Sequence, residues 1–478
     1  MDPLREAERS FLDNCPRYQD TTVLDDLRRS HYEQLDRLGH VYLDYTGGGL
    51  YASTQIREHM DLLLASVLGN PHSSNPTSAL ATLFVERARQ AVHQFFNASP
   101  EEYVVVFTQN ATGALKLVGE SYPFDHPSHL LLTFDNHNSV NGIREFARAA
   151  GTMVTYAPLV LPDMRIDADA LSSYLKSPIE KSHNLFAYPA QSNFSGVQHS
   201  LDWIEFAHAH GWDVLLDAAA YVPTNKLDLG AIKPDFVAIS FYKIFGYPTG
   251  AGCLIARRAA LQKLRRPWFS GGTITVASVK GDRHYMQQGP EAFEDGTPDY
   301  LSMPAIEIGL KHIAQIGYAT IHSRVESLTG WLLDQLSGLR HDNGLPAVRV
   351  YGPLTTEARG GTVAFNFFDV DGRFVDHRIV EDRANRMNIS LRTGCFCNPG
   401  GGEVALGISG EELSACFSGA PGHLTLDDFR RCIDDKSTGA VRISLGLASN
   451  FADAFHFVRF AQCLADSSLT RNSLMTRV

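Results

Sequence analysis

The chain has 478 residues, of which 44% are hydrophobic and 20% are charged, a composition typical of a globular protein with a large core. Its formal net charge of −11 argues against a nucleic-acid-binding surface, and no apolar run is long enough to cross a membrane. The charged N-terminus lacks the apolar core of a secretory signal, and seven scattered cysteines predict reduced thiols in the cytoplasm.

Short apolar runs alternate with helical patterns between about residues 80 and 260. Continuous runs of Val, Ile, Leu and Phe separated by helices are typical of an α/β fold with a mostly parallel sheet covered on both faces. Ligands of such sheets bind outside the carboxyl ends of the strands, so polar residues at these ends are candidates for a site. The predicted strands are Tyr103–Thr108, Leu130–Phe134, Thr152–Tyr156, Asn184–Tyr188, Val214–Asp217, Phe236–Ile239 and Gly252–Ala256.

The pattern changes after about residue 320, where fewer strands alternate with helices. We therefore predict an N-terminal segment (1–45) that packs with a small C-terminal α/β domain (326–478), and a large domain (46–325) between them in sequence. The elements predicted for the small domain are strands Gly361–Phe368, Ile389–Arg392 and Val441–Leu445, with helices near Val375–Met387 and Asn450–Ala465.

A polar turn after the first predicted strand is a candidate anion site. The segment Phe107–Gly113 leads from that strand into an amphipathic helix. Backbone N–H groups at a helix N-terminus, together with a nearby hydroxyl, bind anions such as phosphate. Ala111 and Thr112 would supply these groups, although Thr112 could equally be a simple helix cap.

Asp217 ends one predicted buried strand and Lys243 follows the next, and this pair is the most informative feature of the chain. Alone, Asp217 would be interpreted as a helix cap and Lys243 as a surface lysine, but the apolar residues around Lys243 favour a buried amine. A buried lysine can lose its proton and attack an aldehyde, while an aspartate can keep a ring nitrogen protonated. An enzyme that uses pyridoxal 5'-phosphate (PLP) requires these two anchors. We therefore predict PLP as the cofactor, with Ser240 placed to contact its phosphate.

Two cysteines, Cys395 and Cys397, lie in a Gly- and Pro-rich segment that begins with Arg392 and ends at Gly402. A thiol becomes a nucleophile as its thiolate, which exposure and positive neighbours favour. A metal site is an alternative, but this segment has no evident second pair of ligands. A buried structural pair is a further alternative, although the glycines favour a mobile loop.

Arg442 lies on the otherwise apolar segment Val441–Leu445. Burying an arginine without a partner is costly, so its guanidinium should face an anion. A substrate carboxylate bound by two hydrogen bonds is one candidate. An Asp or Glu inside the protein is the other, and from this segment alone it is the better supported of the two.

Taken together, these segments resemble the fold-type I PLP enzymes of the class V aminotransferase and cysteine desulfurase family, and within it the desulfurase part of the molybdenum cofactor sulfurases. The resemblance implies a large domain with a mostly parallel sheet and a smaller C-terminal α/β domain. The matching segments are Val41–Tyr45, Gly69–Ser73, Phe107–Thr112, Tyr188–Gly196, Ser240–Gly246, Phe293–Thr297, Leu391–Pro399 and Val441–Gly446.

The resemblance implies roles around the cofactor. Lys243 matches the lysine that binds PLP covalently, and Asp217 matches the partner of the ring nitrogen. Asn193 matches a residue near the ring hydroxyl, and His137 matches the histidine that stacks on the ring. Tyr242 is also expected at the cofactor, at a position where many cysteine desulfurases carry histidine.

The resemblance also implies roles in substrate binding and assembly. Cys397 matches the cysteine that accepts sulfur, and Cys395 is then auxiliary. Arg442 matches the arginine that binds the substrate carboxylate, with Arg392 expected beside it. A loop that resembles one reaching the phosphate of the partner subunit, and so implies a homodimer, contains Gly296 and Thr297.

These roles predict a PLP-dependent L-cysteine desulfurase that forms a persulfide on Cys397 and releases alanine. Its substrate would be L-cysteine or an analogue, and its sulfur would pass to an acceptor protein or cofactor, with the molybdenum cofactor as a candidate. One alternative is a PLP-dependent C–S lyase, or another elimination enzyme, acting on a specialised sulfur amino acid. A third interpretation is a non-catalytic partner in sulfur relay.

Overall fold

The computed structural model describes residues 2–125, 127–418 and 439–466. Two short 3-10 helices, Pro16–Thr21 and Gly289–Phe293, accompany the regular elements. The described α-helices are α1 Pro3–Asn14, α2 Val23–His31, α3 Gln34–Arg37, α4 Ser53–Leu64, α5 Pro76–Phe95, α6 Ala111–Ser121, α7 Asn138–Asn141, α8 Ile143–Ala149, α9 Ala168–Leu175, α10 Trp203–Ala209, α11 Phe241–Phe245, α12 Arg258–Leu261, α13 Met303–Ile316, α14 Tyr318–Gly338, α15 His377–Arg386, α16 Pro399–Leu406, α17 Gly410–Ser418 and α18 Phe451–Asp466. The described strands are β1 Val41–Tyr42, β2 Tyr103–Thr108, β3 His129–Thr133, β4 Met153–Ala157, β5 Leu159–Val160, β6 Arg165–Ile166, β7 Asn184–Pro189, β8 Asp213–Asp217, β9 Phe236–Ser240, β10 Gly252–Arg257, β11 Ile274–Ser278, β12 Arg283–Met286, β13 Val348–Tyr351, β14 Thr362–Phe367, β15 Ile389–Ser390, β16 Arg392–Gly394 and β17 Ala440–Ser444.

A seven-stranded sheet in the order β2-β10-β9-β8-β7-β3-β4 forms the centre of the large domain. β10 runs antiparallel to both of its neighbours, and the other paired strands are parallel. Successive side chains of a strand point to opposite faces. Accordingly, Val105 and Phe107 of β2 belong to one buried cluster, while Val104 and Val106 belong to another. The predicted mostly parallel sheet, covered on both faces, is confirmed.

The predicted strands of the large sheet are confirmed, with ends that shift by at most one residue; β3, for example, starts one residue before the predicted Leu130. The prediction of one strand over Ile389–Arg392 is wrong. The chain changes partner at Leu391, since β15 pairs with β1 in parallel and β16 pairs antiparallel with β17. An apolar run in the sequence does not show where its pairing partner changes.

The C-terminal part contains a four-stranded antiparallel sheet in the order β13-β14-β17-β16. The N-terminal segment packs against this part: Arg28 donates to the Ala448 carbonyl at 2.7 Å and pairs with Asp453. Residue 325 lies inside the 21-residue helix α14, which therefore joins the two larger parts. We propose the division into 1–45, 46–325 and 326–478 on this basis.

The prediction that the cysteines are reduced thiols fails at one of the described positions. Cys416 is disulfide-bonded, and the expectation is wrong there. Cys432 lies outside the described residues. The thiols that are free are those of Cys15, Cys253, Cys395, Cys397 and Cys463. None of the helices in the described ranges combines the length and the apolar character needed to cross a membrane.

Candidate active site

A cavity of about 120 Å³ lies at the carboxyl edge of the central sheet. β7, β8 and β9 end at this cavity, because the carboxyl ends of parallel strands meet at one edge of a sheet. The structure thus brings together residues that the sequence separates by more than a hundred positions. The predicted residues that line the cavity are Ala111, Thr112, His137, Asn193, Asp217, Ser240, Tyr242 and Lys243.

Lys243 lies in the one-turn helix α11, directly after β9, and is half-buried. Moving an ammonium group out of water disfavours its charged form. Burial therefore lowers the pKa of Lys243, the Asp217 carboxylate opposes this change, and the Arg442 and Arg392 guanidinium groups add to the lowering. A larger fraction of the amine is thus unprotonated than for an ordinary surface lysine, as a nucleophile or base requires.

The N-terminus of α6 provides a group of donors at one end of the cavity. Asn110 caps the helix with its side chain, and the Ala111 N–H donates to Ser240 Oγ at 2.8 Å. Thr112 Oγ1 and Ser139 Oγ lie 2.8 Å apart. Two chain segments beyond α6 therefore add hydroxyl groups to the helix N-terminus, and this set of groups fits a phosphate.

Asp217 and His137 line the cavity between Lys243 and the N-terminus of α6. Asp217 Oδ1 accepts a hydrogen bond from the Ala219 N–H at 3.0 Å. His137 caps α7, and its Nδ1 accepts from the Ser139 N–H at 3.1 Å. Burial lowers the pKa of His137, Asp217 opposes this, and Lys243 adds to the lowering. The imidazole is therefore neutral near pH 7, as suits a ring that stacks on another ring.

Asn193 lines the cavity, but its side chain also holds the segment that carries the cysteines. Its Nδ2 donates to the Phe396 carbonyl at 2.7 Å, and its Oδ1 accepts from Asn398 Nδ2 at 2.9 Å. The role expected near a ring hydroxyl would therefore require this amide to exchange partners. The same contacts place the cysteine loop, residues 395–398, against the cavity.

The cysteine loop is held in a constrained backbone conformation. Phe396 and Cys397 both adopt left-handed φ angles, +56° and +55°. The Cys397 carbonyl accepts from the Asn138 N–H at 2.7 Å, next to His137 on the cavity wall. Cys397 does not itself line the cavity, yet its side chain is exposed and its backbone is anchored there.

The glycines after this loop do not form the mobile segment that the sequence predicts. Gly400, Gly401 and Gly402 are buried in the first turn of α16. A Cβ atom at Gly400 would overlap the Phe134 carbonyl oxygen and come within 2.8 Å of the Phe134 ring. Glycine is needed here for close packing against the backbone before α7, and this packing anchors the cysteine loop at its C-terminal end.

Arg442 and Arg392 meet at a carboxylate that the sequence analysis did not assign, Asp44. Arg442 Nη2 donates to Asp44 Oδ1 at 3.0 Å, and Arg392 Nη2 donates to Asp44 Oδ2 at 2.6 Å. Burial lowers the pKa of Arg442 to about 10, and Asp44 opposes this change. Arg442 also donates to the Asn193 carbonyl at 2.9 Å and lies 4.7 Å from the centre of the Phe396 ring. It is thereby fixed between the cavity and the cysteine loop.

Gly296 and Thr297 are not brought to the cavity of their own chain. The Gly296 N–H donates to the Gly271 carbonyl at 2.9 Å, and Thr297 Oγ1 accepts from Asn70 at an exposed position, 3.2 Å away. These contacts hold the loop on the outside of the large domain. From this outer position the loop is accessible to a partner subunit, and the contact expected from the sequence stays a prediction.

The protein-family model described as "Aminotransferase class-V" matches residues 41–455. The chain belongs to the class V aminotransferase family. The match begins at β1 and continues into α18, so it includes the N-terminal strand as well as both sheets.

Several curated relatives of the chain are molybdenum cofactor sulfurases. The chain is 38% identical to the molybdenum cofactor sulfurase of Solanum lycopersicum over 95% of its own length and 59% of the relative's. It is 37% identical to the molybdenum cofactor sulfurase of Homo sapiens over 91% of its length and 51% of the relative's. The chain thus spans little more than half the length of these curated relatives.

Solved structures share the fold of this chain. The apo structure of a cysteine desulfurase from Thermococcus onnurineus superposes with a TM-score of 0.75 at 23% identity, covering 92% of this chain and 98% of the other. The cysteine desulfurase CsdA of Escherichia coli gives a TM-score of 0.72 at 21% identity, with coverage of 92% and 99%. The PLP fold type I architecture is confirmed.

Sequence reasoning missed two residues of the site. The sequence assigns no role to Asp44, although it lies in the matching segment Val41–Tyr45, because its partners lie near the other end of the chain. Asn398 is fully buried, and its Nδ2 also donates to the Asp135 carbonyl at 2.7 Å. Its position before Pro399 is the usual signal of a helix N-cap, and that signal was available in the sequence.

Proposed function

We propose that this protein is a PLP-dependent L-cysteine desulfurase that forms a persulfide on Cys397 and releases alanine. The observation that carries this proposal is the position of the cysteine loop. An exposed thiol is anchored beside the cavity that Lys243 and Asp217 both line. A thiol anchored here supports the proposal, because the reaction requires a nucleophile that can reach the sulfur of a substrate bound in the cavity.

The residues around the cavity fit PLP. Lys243 would hold it covalently through Nζ, Asp217 would pair with its ring nitrogen, and His137 would lie against the ring. Ser240 and the N-terminus of α6 would bind the phosphate. When bound, PLP supplies an electron sink that stabilises a negative charge at the Cα atom of an amino acid.

The side chains of this protein would divide the remaining steps among them. Arg442 would bind the substrate carboxylate, and the unprotonated Lys243 amine would take the Cα proton and later return one to the product. The Cys397 thiolate would attack the sulfur of the substrate, so that the carbon–sulfur bond breaks, its electron pair passes to the Cβ atom, and that atom takes up the proton of the substrate thiol. The substrate loses one sulfur atom to become alanine, and Cys397 gains that atom as a persulfide.

The persulfide would pass its outer sulfur to an acceptor protein or cofactor. The names of the relatives support the molybdenum cofactor as the final acceptor.

We further propose a cytoplasmic location, and a homodimer in which Gly296 and Thr297 reach the phosphate of the partner subunit. The outward position of that loop supports the dimer.

The test is incubation of the purified protein with L-cysteine, with assay of alanine and mass spectrometry of the Cys397 peptide. The variant Cys397→Ala should lose the persulfide and alanine release but keep the yellow colour of the bound cofactor. Cys463→Ala, which removes another exposed free thiol, should behave like the wild type. Full activity of Cys397→Ala contradicts the assigned role, and pyruvate with ammonia as products would instead identify a C–S lyase.

A further inference from the structure

Asp44, Arg392 and Arg442 form a cluster of three charges beside the cavity. Arg392 and Arg442 are opposite each other in the pairing of β16 with β17, so their side chains project from the same face. Both bind Asp44, and both also act on the pKa of Lys243. The two guanidinium groups therefore share one carboxylate close to the reactive amine.

The cluster has an excess of one positive charge. Asp44 is the one carboxylate that forms an ion pair with either arginine within residues 2–125, 127–418 and 439–466. Arg442 is 2% exposed, and its Nε has no hydrogen-bond partner in these same ranges. A buried guanidinium with an unused donor is suited to bind an anion that enters the site.

Gly47 shows how closely this cluster is packed. A Cβ atom at Gly47 would overlap both carboxylate oxygens of Asp44 and would lie 2.6 Å from Arg392 Nη2. A Cβ atom at the next residue, Gly48, would meet nothing closer than the Tyr242 ring at 3.6 Å, which is an ordinary contact. Any side chain at position 47 would displace the carboxylate, whereas position 48 would tolerate one.

On the basis of the proposed function, we propose that Asp44 determines the substrate class of this site. By cancelling one of the two arginine charges, it limits the site to amino acids with one carboxylate and an uncharged side chain, such as L-cysteine. The two negative groups of a substrate with a second anionic group would face only one uncompensated positive charge in the site. It would also lie near the Asp44 carboxylate, which repels it.

The experiment compares L-aspartate with L-asparagine, which differ in charge but hardly in shape, by calorimetric titration of the cofactor-loaded protein. The readout is the ratio of their dissociation constants, because a general loss of fold or of cofactor weakens both ligands together. The wild type should prefer asparagine. Asp44→Asn should shift the ratio toward aspartate by about tenfold, the effect of removing one nearby charge in a partly screened site.

Two further variants test the charge argument. Gly47→Ala should shift the ratio in the same direction, because it displaces the carboxylate, while Gly48→Ala should leave it unchanged. The double variant Asp44→Asn with Arg392→Gln again has one excess positive charge, so it should return the ratio to that of the wild type.

An unchanged ratio in Asp44→Asn, or binding of neither amino acid by the wild type, would overturn this inference. Failure of the proposed function would have a different signature, since the wild type would then bind asparagine but release no alanine from L-cysteine. The two failures are therefore distinguishable.

Discussion

The amine of Lys243 is subject to opposing influences that set its reactivity. Burial and two arginines lower its pKa, and the carboxylates of Asp217 and Asp44 raise it. A lysine whose pKa is lowered has more free amine at a given pH, so it reacts with an aldehyde at lower pH than an exposed lysine does. The balance between the influences that lower this pKa and those that raise it thus sets the pH range in which the amine reacts.

Removing the Asp217 charge should therefore move the reaction of Lys243 to lower pH. Asp217→Asn removes the larger of the two carboxylate influences that favour the ammonium form, so the pKa of Lys243 falls further. The measurement is borohydride trapping of PLP on Lys243 in cofactor-free protein across a pH series, with the modified peptide quantified by mass spectrometry.

The quantity to compare is the midpoint of this pH series and not its plateau. In our proposal Asp217 also contacts the cofactor ring, so its substitution can change the amount of PLP that is trapped as well as the pH at which trapping occurs. Lys243→Ala is the blank and should trap nothing at the corresponding peptide. A midpoint that stays in place or moves to higher pH in Asp217→Asn would show that the two side chains are not coupled.

At the residue scale, the sequence predicted those site residues whose role depends on nearby sequence. Asp217 ends one buried strand and Lys243 follows the next, and parallel strands bring such residues to one edge. The partners of Arg442 were not predictable in the same way. Asp44 lies 398 residues away from Arg442, after a strand of two residues, and no local pattern links the two positions.

At the element scale, helix α16 is the feature that fixes the cysteine loop. Its first turn carries three buried glycines, and Gly400 packs directly on the Phe134 carbonyl. The glycines of the sequence Pro-Gly-Gly-Gly favour a mobile loop, since glycine is unfavourable inside a helix. That interpretation was wrong because the close approach of two backbone segments, which glycine alone permits at this position, is a property of the folded structure.

Two matched substitutions in this helix should have opposite effects. Gly400→Ala must push α16 away from Phe134, and we expect a loss of about 1–3 kcal/mol of stability together with faster hydrogen exchange in residues 395–407. Gly402→Ala places its methyl group 3.8 Å from the nearest atom, Cys395 Cβ. It should be neutral or stabilising by about 0.5–1 kcal/mol.

Denaturant unfolding and hydrogen exchange, each measured on both variants, check this prediction. Equal stability and equal exchange in the two proteins would mean that α16 is not held against the backbone at Phe134. Slower turnover of L-cysteine in Gly400→Ala alone would further link the anchoring of α16 to the position of Cys397.

At the scale of the whole molecule, the proposed dimer predicts complementation between subunits. In a mixed dimer, one chain would carry Lys243→Ala and the other Thr297→Glu, which sets a carboxylate against the phosphate. If Thr297 serves the partner's site, one site of the mixed dimer has both an intact lysine and an intact loop, so it should be active.

The measurement is alanine release by mixed dimers purified through two different affinity tags, relative to each variant alone. Each variant alone should be almost inactive, and the mixture should recover up to about half of the wild-type rate, since one of two sites is intact. No recovery in purified mixed dimers would mean that each loop serves the cavity of its own chain, and failure to isolate a mixed dimer would mean that no dimer forms.

The bond between Asp44 and Arg442 has a consequence for how the protein is made on the ribosome. Residues 110–243, which surround the cavity, are synthesised well before Arg442, and at 5–20 residues per second the delay after Lys243 is roughly 10–40 s. During that interval Asp44 has already left the ribosome without its partner. A nascent chain could therefore acquire the means to capture its cofactor before it can hold an amino acid, and it would complete the reactive centre only when translation is nearly finished.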